Sequence, residues 1–208
     1  MTNAQPKAQH LAPTQTSRPT KKTAVLLSVS LCLGIPACTT LPKQVQQPVE
    51  YGFSTPTEQT TLGKIITPLR DAKPGLTGYH VLYDPLEALA ARLELINKAE
   101  KTLDLQYYIW DNDKIGSMAL HSIIQAADRG VKVRLLIDDN NAKKMEGIYL
   151  ALDQHTNIDV KLYNPYRFRH YRAMDMLLDL KRINRRMHNK SFIADNQIAL
   201  IGGRNMSN

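Results

Sequence analysis

Strand-like runs alternating with helix-like runs from residue 84 onward predict an α/β fold: a mixed, partly parallel sheet flanked by helices. Three observations carry that expectation. Runs rich in apolar, β-branched and aromatic residues recur at 102–110, 131–137 and 158–163. Between them, apolar residues return every three or four positions, the repeat of a helix packed on a sheet, and such crossovers join parallel strands. A last pair of runs, 188–195 and 197–201, lies too close together for a crossover and reads as a hairpin-like strand pair.

Each element has its own signals. Asp84 and Pro85 open the first helix of this region, with Leu86, Leu89, Ala90, Leu93 and Ile96 on one face. The run from Thr102 to Trp110 follows as a buried strand. Ile115, Met118, Ala119, Ile123 and Ala126 mark a second helix, ended by Arg129 and Gly130. The strand from Val131 to Ile137 leads into Asp138 and Asp139. Met145, Ile148, Tyr149 and Leu152 predict a third helix, Ile158 to Tyr163 a third strand, and 174–180 a short helix.

The ends differ in texture. Lys7, Arg18, Lys21 and Lys22 precede a mostly apolar run from Thr23 to Ala37, the pattern of an export signal and short for a membrane-spanning helix. Ile35, Pro36, Ala37 and Cys38 resemble a bacterial lipobox, with Cys38 as the lipidated first residue of the mature chain; an uncleaved anchor is the alternative reading. The expected organisation is therefore an export signal of lipoprotein type over 1–37 and a Thr/Pro/Gln-rich tether over 38–78. A domain over 79–208 follows, in a protein held on the bacterial cell envelope and facing the periplasm. Loss of Cys32 with the signal leaves one cysteine, so no disulfide can form within the mature chain. No Cys/His cluster suggests a structural metal.

The 208 residues carry a formal charge of +8, of which cleavage before Cys38 would leave +4. A net +7 falls within 161–190. Such a segment can be a solvated basic face; beside a nucleophile it favours an anionic substrate or membrane surface.

The chemistry is concentrated in one pattern, H-x-K-x(4)-D-x(6)-G-G-x-N: His188, Lys190, Asp195, Gly202, Gly203 and Asn205. On a strand, His188 and Lys190 project from one face. An imidazole nucleophile beside an ammonium suits attack on a phosphodiester, the lysine neutralising phosphoryl oxygens while the histidine forms a covalent phospho-enzyme. Gly202 and Gly203 would let backbone approach an anion, and Asn205 offers an amide donor. Asp195 is too far along the strand to share that face simply, so its expected contribution is to fix local structure or charge. A lone histidine on a strand is usually structural; the combined spacing argues otherwise.

This pattern resembles the signature of the phospholipase D superfamily. The run Arg182 to Phe192, together with Leu105 to Trp110, Leu135 to Asp139 and Tyr163 to Pro165, is similar to its cardiolipin synthase C-type branch. The resemblance covers about residues 50–208. It implies a phospholipase D-like half in which His188, Lys190 and Asp195 belong to the catalytic motif, with no metal and no organic cofactor. It also implies phosphatidylglycerol and another phospholipid as substrates, a membrane surface as partner, and nucleic acid as an unexpected one. Such enzymes carry two motifs and this chain has one, so the expectation is a domain truncated after its motif. A missing C-terminal half or a second subunit would then supply the other histidine. His80, His121, His155 and His170 lack the motif context. A single-motif phosphodiesterase acting as a homodimer, like the small endonucleases of the superfamily, and a non-catalytic lipid-binding fragment are the competing readings.

Other landmarks read more plainly. Tyr107, Tyr108 and Trp110 suit core or rim more often than substrate contact. Asp138 and Asp139 suit a helix cap or turn better than an acid/base pair, and Tyr163 to Tyr166 suits a turn. By resemblance alone, Gln106 could line the cleft.

Overall fold

A computed structural model describes residues 56–208; the export signal, Cys38 and the first part of the Thr/Pro/Gln-rich stretch lie outside the described residues. The elements in chain order are α1 (Thr61–Asp71), α2 (Pro85–Lys98), β1 (Thr102–Tyr107), α3 (Lys114–Asp128), β2 (Lys132–Asp138), the one-turn α4 (Asp139–Ala142) and a 3₁₀ turn (Lys143–Met145). Then come α5 (Glu146–Asp153), β3 (Ile158–Tyr163), α6 (Arg172–Ile183), β4 (Lys190–Ala194) and β5 (Ile198–Ile201). The five strands stand in the order β3-β2-β1-β4-β5. β1, β2 and β3 are parallel neighbours, while β4 runs antiparallel to both β1 and β5. The α/β sheet is thus mixed, as expected.

The alternation along the strands sends Leu103, Leu105 and Tyr107, Val133, Leu135 and Ile137, and Phe192 and Ala194 into one buried cluster. Ile96 of α2, Ala119 and Ile123 of α3, and Tyr149 and Leu152 of α5 complete it. Tyr107 meets Trp110 edge-on, ring centres 5.3 Å apart, and Trp110 donates its indole N–H to the Gly116 carbonyl at 3.1 Å. A Cβ on Gly116 would lie 1.9 Å from the Asp111 carbonyl oxygen, so only glycine permits this approach. Asp84 caps α2 by accepting from the Leu86 and Glu87 amides, and α3 ends at Gly130, whose φ is +95°.

The structure departs from the sequence expectations in four places, the simplest being that β1 stops at Tyr107 and not at Trp110. The buried face of α2 comprises Ala88, Arg92, Leu95 and Ile96, while Leu86 is exposed. Arg92 reaches the inward position because its guanidinium donates to the Tyr107 hydroxyl at 3.2 Å and the Ala88 carbonyl at 2.6 Å. Helix α1 occupies part of the stretch read as tether. Thr60 caps it, and its first residue, Thr61, donates its amide and hydroxyl to Glu100 at 2.9 and 2.6 Å. Finally, β4 begins at Lys190, so His188 lies in an irregular segment just before the strand.

Candidate active site

The C-terminal ends of the three parallel strands meet the entrance of β4, and the motif sits there. Loops leaving that edge of a sheet converge, which makes it the usual place for a site in α/β folds. Tyr108 follows β1, Asp138 closes β2, Asn164 to Tyr166 follow β3, and His188 precedes β4. Tyr108 is the hub: its ring centre lies 4.8 Å from that of His188 and 5.3 Å from the Lys190 ammonium. His188 and Lys190 therefore both approach one ring, although only Lys190 belongs to the strand.

The two groups have opposite environments. His188 is exposed and open to a ligand, whereas Lys190 is only 6% exposed. The lysine donates to the His188 carbonyl at 2.9 Å, and burial lowers its pKa below the ordinary lysine range. If the charged lysine holds the phosphoryl oxygens, activity falls as pH rises through that lowered value. A kcat/KM–pH profile of the enzyme should show this alkaline limb, and Lys190→Arg should remove it, because a guanidinium stays charged. A limb unchanged by the arginine would place the titration elsewhere.

The glycine turn adjoins this pair. The Gly202 amide donates to the Lys190 carbonyl at 3.2 Å, and the Asn205 carboxamide oxygen accepts from the Ile109 amide at 3.3 Å. That bond orients the Asn205 side chain with its oxygen committed and leaves its NH₂ as the donor end. Gly202 and Gly203 are exposed, neither has positive φ, and a Cβ on either would meet open space. The chain's own packing does not require glycine here.

Asp195 is not part of this cluster. It lies at the other end of β4, about 16 Å from Lys190 at the usual rise of a strand. It is fully buried, with φ of +49°. Its carboxylate accepts the backbone N–H groups of Glu100, Lys101 and Thr102 at 2.7–3.2 Å. Listing it with the catalytic residues is corrected by this placement; fixing local structure is what its geometry does.

Three more buried carboxylates organise the approach to His188. Asp138 caps α4 through the Asn140 amide, and also accepts from Arg186 at 2.9 Å and from the Met187 amide at 2.7 Å. The residue before His188 is thereby tied to the end of β2. Asp139 takes Arg169 at 2.8 Å, Arg172 at 3.4 Å and the Tyr166 amide at 2.8 Å. Asp175 takes Arg182 at 3.0 Å and the Phe168 amide at 2.9 Å. The cap reading of Asp138 holds, but both strand-end acids do more than cap. The basic segment is also revised: Arg169, Arg172, Arg182 and Arg186 neutralise buried carboxylates rather than presenting a substrate track.

Sequence reasoning undervalued Tyr108, Asn140 and Tyr166. Asn140 donates to the Tyr108 hydroxyl at 3.2 Å and accepts from the Tyr166 hydroxyl at 2.9 Å, while Arg172 stacks over Tyr166 at 4.4 Å. These residues hold the ring that both His188 and Lys190 approach. No short-range signal places them: Lys190 pairs with Tyr107 across the sheet, and Tyr108 reaches the motif because the chain leaves the strand there. Gln106 accepts from Asn189 at 3.1 Å and pairs with Ser191 in the sheet, on the face opposite that of Lys190. His155 pairs with Asp128 near the start of β3, at the far end of the sheet, and His80 pairs with Glu87 of α2.

An exposed imidazole and a buried ammonium, joined over one tyrosine at the strand ends of a mixed sheet, define a phospholipase D-like domain. Residues 93–208 match the family described as cardiolipin synthase, PLD-like domain, and the chain belongs to that family. It is 46% identical over 145 residues to cardiolipin synthase C of Escherichia coli (strain K12), covering 70% of this chain and 31% of that protein. With a cardiolipin synthase of Oceanobacillus iheyensis the identity is 31% over 129 residues, covering 62% of this chain and 25% of that one. The chain thus spans a third or less of the length of these relatives. Among solved structures, NucT from Helicobacter pylori aligns with a TM-score of 0.44 and 23% identity, over 62% of this chain and 73% of that one.

Proposed function

We propose that this domain carries one half of a phospholipid phosphatidyltransferase of cardiolipin synthase type, working through a phosphohistidine at His188. The observation that carries the reading is the His188–Tyr108–Lys190 cluster, in which an exposed imidazole and a shielded ammonium both approach one tyrosine ring. Neutral His188 attacks phosphorus, a P–N bond forms and the P–O bond to the headgroup alcohol breaks. Lys190 and the Asn205 amide neutralise charge on the phosphoryl oxygens. A second histidine protonates the leaving oxygen, then deprotonates an incoming alcohol that attacks phosphorus and frees His188. If that alcohol is a phosphatidylglycerol hydroxyl, the product is cardiolipin; if it is water, phosphatidic acid. The second histidine comes from another motif, in the remainder of a longer protein or in a partner subunit.

The 46% identity to a cardiolipin synthase supports phospholipid over nucleic acid as substrate. Further expectations extend the same reading: Cys38 is the lipid attachment site, and the domain faces the periplasm on a membrane. Among the described residues no helix is long and apolar enough to cross a membrane. The test is turnover of mixed phosphatidylglycerol and phosphatidylethanolamine vesicles against cleavage of single- and double-stranded DNA, using the protein that carries both motifs. Cardiolipin or phosphatidic acid should appear and DNA should stay intact. DNA cleavage without lipid turnover would replace this reading with the endonuclease one.

A further inference from the structure

Helix α6, just upstream of His188, is built inside out. Its inward stripe is Arg172, Asp175, Asp179 and Arg182, the three- and four-residue spacing of one helical face, and Asp175 is only 1% exposed. Its outward surface carries Met174, Met176, Leu177, Leu178 and Leu180, with Leu177 82% exposed and Tyr171 exposed just before them. A helix on a sheet normally buries its apolar stripe and wets its charges. Here polar bonds hold the helix instead: Arg172 pairs with Asp139, Asp175 accepts the Phe168 amide, and Arg182, paired within the helix to Asp175 and Asp179, donates to the Asn164 carboxamide and the Pro165 carbonyl. Asn164 in turn donates to the Arg182 and Arg185 carbonyls at 2.7 and 2.8 Å. The helix is thus anchored with its apolar side turned outward, and it bends at Asp179.

We propose that this face is a bilayer-docking surface that inserts into anionic phospholipid beside the His188 site. Charge complementarity selects the occupant. Both acids of the helix are engaged by Arg182 on its inward side, whereas its margins carry two exposed cations, Lys181 and Arg167, the latter also within 4.0 Å of Asp179. Apolar side chains rimmed by cations match the acyl and headgroup layers of an anionic membrane. A soluble face rarely leaves so many large apolar side chains together without a partner. The choice of a lipid surface over a protein one also rests on phospholipid being the substrate of the adjoining site. Docking would bring the membrane to the residues leading into His188, with Asn164 and Arg182 linking the two regions.

Trp110 is the only tryptophan and is 1% exposed, so an introduced indole can be read against a shielded background. Leu177→Trp and, as a comparison on α5, Leu150→Trp (62% exposed in the parent) would each be made in the full chain. Both would be bound to phosphatidylglycerol and phosphatidylethanolamine vesicles with brominated acyl chains. Insertion predicts roughly twofold or greater quenching of the added emission at 177 and little at 150, because an interfacial helix sinks its apolar side chains to the acyl boundary. Emission at 177 that stays unquenched while the chain is vesicle-bound would overturn the proposal. So would emission already blue-shifted without vesicles and dependent on protein concentration, which would assign the face to a second copy. Turnover in the same vesicles separates the two readings. Quenching without turnover supports docking and counts against phosphatidyl transfer, whereas turnover without quenching sinks docking alone.

Discussion

Replacing His188 by alanine should abolish phosphatidyl transfer, by about four orders of magnitude or more, while leaving the fold intact. The ring is exposed, and its main neighbour is the Tyr108 ring at 4.8 Å. Removing it sacrifices about 0.5–1.5 kcal/mol of ring contact at most, so the unfolding temperature should move by only a few degrees. The chemical loss has a different origin. Without a nucleophile no P–N bond forms, and Lys190 and Asn205 can only bind the phosphodiester. Vesicle binding should therefore survive the substitution. The measurements are initial rates on phospholipid vesicles together with a thermal melt. A variant within tenfold of the parent rate would show that His188 is not the nucleophile.

Local signals recovered the architecture because the strands and most helices announce themselves over short windows. Ile158 to Tyr163 forms the strand its alternation predicts, and Asp84 caps the helix that Pro85 opens. His188 and Lys190 were legible for the same reason: their spacing is local, and both come to lie around Tyr108. What stayed hidden depends on partners far apart in sequence. Asp138 meets Arg186 across 48 positions and Asp139 meets Arg169 across 30, so a charge count over 161–190 saw surplus cations where the fold holds ion pairs. Helix α6 misleads for the same reason. Read alone, its leucines suggest a core-facing helix, and only the carboxylate–arginine network shows which side is held to the domain. Arg92 likewise takes a core position because the Tyr107 hydroxyl, on another element, receives it.

Asp195→Ala should destabilise the domain by roughly 3–5 kcal/mol, the largest stability loss expected from any motif residue. One carboxylate oxygen accepts the Glu100, Lys101 and Thr102 amides, and the other accepts Glu100 as well. It thereby fastens the junction between α2 and β1 to the turn between β4 and β5. Alanine would leave these amides without their acceptor in a buried site, each costing about 1–3 kcal/mol before relaxation and water entry. It would also hold a Cβ at φ of +49°, a conformation that disfavours alanine by about 1 kcal/mol or more. Asp195→Asn separates these effects. Asparagine tolerates positive φ and can present its oxygen to Lys101 and Thr102, but its NH₂ would face the Glu100 amide. The expected loss is smaller, about 1–2 kcal/mol. Denaturant unfolding gives both values. Rates measured where each variant is fully folded should stay within about tenfold of the parent, since Asp195 lies a strand's length from Lys190. A fully folded Asp195→Asn enzyme as inactive as His188→Ala would instead return the aspartate to the chemistry.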